Sequence, residues 1–310
     1  MHQSAQQAAG EYAVGEVYEL AHVIPTSFCC PKAIAVDGAG AVYVGCGGFV
    51  GGVQKFVKSN EDDNYLSAWT FGEGLDGYAV RGLARAPAGE VLLTVNLRRE
   101  ADEQVQVFSP DGRLLTCWGA SGEADGAFRA PTGIACTPSG DVYVAEATHK
   151  AFKGGNRIQH FGKGGAFLAK WGHAGQAAGE FNLPTGIALD PHGNVHVADT
   201  YNSRVQAFAP DGTFRAQWGT YGYLPGEFNC PQGIAFDAAG NCFIADTGNH
   251  RLQKFAPDGT LLALWGGRGM APGACWLPCG LAVDGAGCVY LADTVNNRVQ
   301  VFRPRPEGRR

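Results

Sequence analysis

Residues 181–219 read FNLPTGIALDPHGNVHVADTYNSRVQAFAPDGTFRAQWG, and residues 228–266 read FNCPQGIAFDAAGNCFIADTGNHRLQKFAPDGTLLALWG. Both stretches hold four short apolar runs separated by turn residues, which in the first are Gly186–Leu189, Val195–Ala198, Val205–Phe208 and Phe214–Trp218. Runs this short, rich in Val, Ile and Phe and bounded by Gly, Pro and Asp, predict strands. Pro-Asp-Gly at 210–212 and at 257–259 suits a type I turn, because Pro sets φ at its second position. The same frame recurs over 128–172 with a short insertion and more loosely over 28–72 and 77–119, and a last copy, 275–302, stops early. Its turn glycine falls at Gly40, Gly89, Gly140, Gly193, Gly240 and Gly287, at spacings of 49, 51, 53, 47 and 47 residues. Six units of four strands at this period predict an all-β, six-bladed β-propeller.

The sixth unit has only three strands before Arg303-Pro304-Arg305-Pro306, which reads as unable to continue a sheet. An unassigned segment, Gly15–Leu20, lines up with Gly259–Leu264, the fourth strand of the fifth unit. The N-terminal strand is therefore expected to complete the last blade and close the ring, leaving no open edge there. The expected organisation is a flexible tail over 1–14, one propeller over 15–302 and a C-terminal tail over 303–310.

Composition agrees with this architecture. Glycine supplies 46 of 310 residues, about twice the ordinary ~7%, and without a three-residue period. That disfavours helical bundles, since each Gly costs about 1 kcal/mol in a helix relative to Ala. The net charge of −5 provides no global attraction for nucleic acid or anionic lipid. No apolar run approaches the ~20 residues of a membrane span, and Met1–Tyr12 lacks the basic start and apolar core of a signal peptide. The ten cysteines are too sparse for a disulfide framework in a chain this long, so they read as free thiols in a reducing, cytoplasmic setting.

The frame Pro-x-Gly-Ile-Ala-x-Asp, then Ala-Asp-Thr-x-Asn-x-Arg, then Val-Gln-x-Phe resembles the NHL repeat over about residues 15–302. Three units carry the full signature: Asp199, Thr200, Asn202 and Arg204; Asp246, Thr247, Asn249 and Arg251; Asp293, Thr294, Asn296 and Arg298. The third unit keeps Asn156 and Arg157 with Glu146, whereas the first two have Cys46 and Val95 at the Asp position. The lost signature marks blades one and two as the place for a specialised surface. Recurrence argues that Asp and Arg pair to hold a turn rather than to catalyse. Trp69, Trp118, Trp171, Trp218 and Trp265, which end successive fourth strands, read as inter-blade packing.

The resemblance implies that one face carries the loops leading into each first strand. The residue before the Gly-Ile-Ala core is Lys32, Arg81, Thr132, Thr185, Gln232 and Cys279 in turn, a polar ring with two adjacent cations. Such a ring suits a small anion or an acidic side chain of a peptide. The expected function is a non-catalytic interaction or scaffold propeller that binds a protein or peptide there, without a cofactor. The alternative is a metal-dependent lyase or hydrolase with an unrecognised channel site. Among NHL-like propellers, peptidyl-α-hydroxyglycine lyase is expected to place zinc-binding His at this ring, where this sequence has none; its eight His read as tails, turns or outer strands. Nor do the first strands hold the Glu, Asn and Asp set of lactonase-type propellers. Cys29, Cys30, Cys230, Cys275 and Cys279 precede or begin first strands of blades one, five and six; of these Cys30, Cys230, Cys275 and Cys279 are weak candidate metal thiolates. Single-stranded RNA is the lesser alternative partner, through Arg98, Arg99, Lys150, Lys153 and Arg157 in the loops of blades two and three. The divergent stretches Gly45–Gly52, Leu97–Gln104 and Ala147–Asn156 would set specificity, and the acidic Glu61–Asp63 loop would face the other way.

Overall fold

Each blade is built by turns whose chemistry is local. In blade four the first hairpin turns at Asp190–Gly193, where Gly193 N–H donates to Asp190 O at 2.9 Å and Gly193 takes φ +82°. The Asp190 carboxylate accepts the N–H groups of His192 and Asn194 at 2.8 and 2.9 Å, an Asx arrangement that holds the turn. The third hairpin turns at Ala209–Gly212, with Gly212 N–H donating to Ala209 O at 2.9 Å. Between them a single 3-10 turn, Thr200–Asn202, ends on Ser203 in the left-handed region.

The computed structural model describes residues 17–26, 29–47, 51–59, 64–71, 78–97, 104–148 and 155–305. These form 24 strands in six four-stranded antiparallel sheets, arranged as a six-bladed propeller. The first strand, β1 (Tyr18–Pro25), stands apart from blade one, which comprises β2 (Pro31–Val36), β3 (Val42–Gly47), β4 (Gly51–Lys58) and β5 (Tyr65–Phe71). Blade two is β6 (Tyr78–Arg85), β7 (Val91–Leu97), β8 (Gln104–Phe108) and β9 (Leu114–Trp118). Blade three is β10 (Pro131–Cys136), β11 (Val142–Glu146), β12 (Arg157–Phe161) and β13 (Phe167–Trp171). Blade four is β14 (Pro184–Leu189), β15 (Val195–Asp199), β16 (Arg204–Phe208) and β17 (Phe214–Trp218). Blade five is β18 (Pro231–Phe236), β19 (Cys242–Asp246), β20 (Arg251–Phe255) and β21 (Leu261–Gly266). Blade six takes β22 (Pro278–Val283), β23 (Val289–Asp293) and β24 (Arg298–Pro304), and β1 is its outer strand.

The closing seam runs further than the sequence suggests. β24 continues through Pro304, which stands opposite Tyr18, and Arg303 stands opposite Glu19. Proline is tolerated at this strand end, and Arg305 N–H resumes the pairing by donating to Val17 O at 2.8 Å. Glu19 binds Arg303 at 2.6 Å and Arg305 at 3.0 Å, so the basic run is part of the seam.

The core consists of six layers, one between each pair of neighbouring blades. Val205, Phe228, Ile234, Ile244 and Phe255 join blades four and five, for example, and Ile24, Ile34, Val42, Tyr290 and Val299 join blades six and one. The tryptophans pack between blades: Trp118 lies 4.6 Å from Phe161 and Trp171 5.8 Å from Phe208, between ring centroids, while the Trp69 side chain lies outside the described residues. Among the described residues no helix is long and apolar enough to cross a membrane.

On β1, Ile24 is buried in the layer between blades six and one, whereas its neighbour Val23 is exposed. Ile24→Ala is expected to cost about 2–5 kcal/mol in denaturant unfolding, and Val23→Ala less than about 0.5 kcal/mol. Equal small losses would mean that β1 is a loosely held tail.

Candidate functional site at the channel mouth

The six first strands converge on the axis because a glycine follows the ring residue in five of them. A Cβ at Gly82, Gly133, Gly186, Gly233 or Gly280 would overlap the carbonyl oxygen of Thr132, Thr185, Gln232, Cys279 or Lys32, always in the next blade. Blade one has Ala33 there, and the space it takes is returned by Gly45 on β3, where a Cβ would lie 2.6 Å from Val80. Gly47 does the same for Lys32, whose stem lies across it. Two of the glycines that fall outside the repeat frame are thus explained by packing.

This convergence brings Lys32, Arg81, Thr132, Thr185, Gln232 and Cys279 around one opening of about 90 Å³, walled further in by Ile34, Leu83, Ile134, Ile187, Ile234 and Leu281. Pockets that enclose whole ligands measure ~300–1,000 Å³, so this cup suits a head group. Among the described residues no Asp or Glu lines it, and Lys32 and Arg81 are its charged groups. Lys32 Nζ donates to Cys279 Sγ at 3.6 Å, whereas the exposed Arg81 makes no hydrogen bond or ion pair to a described residue. The two threonines hold the ring together: Thr132 Oγ1 donates to Pro184 O or Ala145 O at 2.9–3.0 Å, and Thr185 and Thr200 share a 2.7 Å hydrogen bond.

The repeated Asp, Asn and Arg residues form a buried knot behind the mouth. In blade five, Asp246 accepts Asn229 N–H at 2.7 Å, Asn249 Nδ2 at 2.8 Å, Arg251 Nε at 2.7 Å and Gln253 Nε2 at 3.1 Å. Arg251 then donates to the carbonyls of Tyr223, Leu224 and Glu227 at 2.7–2.9 Å, capturing the loop that leads into the blade. Asp199 with Arg204, Asp293 with Arg298 and Glu146 with Arg157 repeat the arrangement at 2.7–2.8 Å. Burial pushes the Glu146, Asp199 and Asp246 carboxyls up from their ordinary values, against the hydrogen bonds and guanidinium groups that pull them down.

This knot removes Arg157 from the set of basic groups that could meet a phosphate. It is buried, and its guanidinium is engaged by Glu146 and by the carbonyls of Glu123, Ala124 and Ala127. Arg98, Arg99, Lys150 and Lys153 lie outside the described residues, as do Glu61–Asp63. Among the described residues no three His, Cys, Asp or Glu side chains stand together as metal ligands. Cys30 and Cys230 are half-buried, and Cys275 and Cys279 are buried. Cys275 takes the core position held by Phe128, Phe181 and Phe228 in other units, and burial pushes its thiol up, as it does that of Cys230. All ten cysteines are free thiols.

His196 is not peripheral. It lies on β15, buried against Phe236 at 4.6 Å between ring centroids and 3.1 Å from Asp190. Burial lowers its pKa, opposed by Asp190. His2 and His149 lie outside the described residues.

A second feature of this face was not singled out from the sequence. Tyr221, Tyr223, Leu224 and Met270, in the loops leading into blades five and six, are 61–71% exposed. The matching positions before blades three and four hold Ser121, Glu123, Ala124, Ala174, Gln176 and Ala177. Aligning the lead-in loops on their shared glycines (Gly122, Gly175, Gly222 and Gly269) would have shown the contrast.

The NHL repeat is matched at residues 181–208 and 228–255. Among solved structures, the chain is similar to virginiamycin B lyase from Staphylococcus aureus, with 14% identity and a TM-score of 0.62 over 93% of this chain and 99% of that one. A structural genomics protein of unknown function from Bacteroides thetaiotaomicron shares 15% identity with a TM-score of 0.66, over 94% of this chain and 73% of that one. A protein of unknown function from Bacteroides caccae shares 18% identity with a TM-score of 0.55, over 85% and 83%. At these identities the likeness extends to the fold alone. Among curated proteins, no relative matches the sequence.

Removing the Asp246 carboxylate strands a buried guanidinium, so Asp246→Ala is expected to lose about 3–5 kcal/mol in denaturant unfolding. For His196 the folded pKa lies below the ordinary 6.5, so the unfolded chain binds the extra proton as pH falls through that value. Stability from neutral His196 is therefore full above 6.5 and declines on acidification, by at most about 1.4 kcal/mol per pH unit. Thermal midpoints followed from pH 7.5 to 5.5 should fall less steeply in His196→Gln than in the unaltered protein.

Proposed function

The chain is an NHL-repeat, six-bladed β-propeller, and on that footing we propose that it is a non-catalytic interaction domain whose channel mouth takes a carboxylate-bearing segment of a protein partner. The observation that carries this reading is the pair of cations, Lys32 and Arg81, in a cup with no acidic lining among the described residues, on a chain of net charge −5. The cup admits a carboxylate head but not a whole substrate. A charge-assisted hydrogen bond contributes about 1.5–3 kcal/mol, well short of the ~8 kcal/mol of micromolar affinity. The remainder would come from apolar contact, for which Tyr221, Tyr223, Leu224 and Met270 stand exposed on loops that lead into the same opening. Aromatic and Met side chains are favoured at such surfaces.

A lyase reading has less support. Virginiamycin B lyase shares the fold, but Lys, Arg, Thr, Thr, Gln and Cys occupy the ring here, with no His to act as acid, base or ligand. RNA has less support again, because Arg157 is engaged within the protein.

Affinity purification of the unaltered chain and of Lys32→Glu/Arg81→Glu, each from the same extract, tests the proposal. A bound protein should be recovered with the first and lost with the second, at unchanged thermal midpoint, and its isolated acidic segment should bind about 10–100-fold more weakly to the variant. Equal recovery by both would reject the channel mouth as the site.

A further inference from the structure

Cys29 and Cys46 occupy two positions of the knot in the one sheet where both are cysteine. In the repeat frame Cys29 stands where Arg129, Asn182, Asn229 and Trp276 stand, and Cys46 where Glu146, Asp199, Asp246 and Asp293 stand. In blades three to six the residue at the first position donates its main-chain N–H to the carboxylate at the second, always at 2.7 Å. The arginine of the knot is replaced as well, because the register partner of Cys46 is Gly52. Blade one therefore has neither carboxylate nor guanidinium to hold its lead-in segment. In their place stand two thiols in a dry site: Cys29 is 0% and Cys46 1% exposed.

The main chains lie side by side. Gly47 N–H donates to Cys29 O at 3.0 Å, and Pro31 is the register partner of Cys46. A disulfide needs main chains that run close together, with Cα atoms ~4.4–6.8 Å apart. We infer that Cys29 and Cys46 are a site of oxidative modification, closing to an intrachain disulfide that serves blade one as the carboxylate–guanidinium knot serves blades three to six, with hydrogen peroxide as the oxidant.

The two sulfurs are not equivalent. The thiol–thiol hydrogen bond favours the thiolate of Cys29, helped by Thr26 and opposed by burial, while the same bond and burial push Cys46 up. Cys29 is therefore the attacking sulfur. Its thiolate attacks one peroxide oxygen; the S–O bond forms as the O–O bond breaks, and the departing hydroxide takes up the proton Cys29 released, leaving as water. Cys46 sulfur then attacks the sulfenic sulfur; the S–S bond forms, the S–O bond breaks, and the leaving hydroxide takes the Cys46 proton as a second water. Two thiols and one peroxide give one disulfide and two waters, the sulfurs losing the two electrons that the peroxide gains. The bond would tie down the segment that presents Lys32, which follows Cys29 by three residues and rests on Gly47.

The test treats the full chain with hydrogen peroxide in a Cys117→Ser background, which removes an exposed thiol able to link two molecules. Tandem mass spectrometry without reduction should find the peptides joined through Cys29 and Cys46, and the thermal midpoint should rise by about 5–10 °C and return on reduction. Cys30→Ser should keep the link and the shift, and Cys46→Ser should lose both. A link through Cys30, a shift that survives Cys46→Ser, or Cys29 and Cys46 that both remain alkylatable in denaturant after oxidation would each overturn the proposal. The peptide map of the Cys117→Ser protein decides the matter by itself should Cys46→Ser fail to fold.

Discussion

A carboxylate buried behind the strand ends, holding a main-chain N–H on one side and a guanidinium on the other, anchors most of this propeller. The loop leading into blade five leaves Tyr221, Tyr223 and Leu224 exposed and spends its carbonyls on Arg251. Arg251 in turn is tolerable in a dry site only because Asp246 meets it. A buried ion pair of this kind adds little net stability over a well-packed apolar pair, but it is exacting about geometry. What it confers is position. The loop that carries Tyr223 and Leu224 and the strand that begins beside Gln232 are set by the same four hydrogen-bonded side chains, so the rim inherits its shape from the knot.

Blades one and two lie outside that regime. Val95, buried on β7, takes the carboxylate position in blade two, while blade one substitutes thiols. Their contact at the axis differs too, since Ala33 and Gly45 exchange the roles that a larger residue and a glycine play elsewhere. Both cations of the ring, Lys32 and Arg81, fall on these two blades. A surface freed from the repeated hydrogen-bond pattern can vary without undoing the fold.

Repetition explains what was legible in the sequence. The turn glycines, the four strands per unit and the knot residues each occur several times in register, so chance agreement is small and the physical role shows through. The ring residues were legible for the converse reason, as a variable position inside a regular frame. Single-copy features were harder to read. Cys46 registered only as a lost aspartate, because a residue's partner across the loop, here Cys29, has no signature spacing. Arg157 looked like a loop cation until Glu146, eleven positions earlier, was seen to face it across a hairpin. Pro304 does end β24, yet the pairing with the N-terminal segment resumes one residue later, where Arg305 N–H donates to Val17 O. His196 and Tyr223 needed burial to be distinguished, since one polar and one aromatic residue on a β protein look equally at home inside or out.

The outermost strand of blade six comes from the opposite end of the chain from its neighbour. Tyr18 faces Pro304, and Ile24 faces Val299. Ribosomes add roughly 5–20 residues per second, so on the order of tens of seconds separate the appearance of β1 from that of its pairing partner. Throughout that interval Tyr18–Pro25 has nowhere native to go, while blades one to five can each collapse on a nearer neighbour. The most distant contact in the chain is therefore the last available during synthesis, and such non-local pairings are intrinsically slow. A nascent chain halted before β24 would keep an apolar strand idle beside a finished set of blades, a natural point for chaperones to engage.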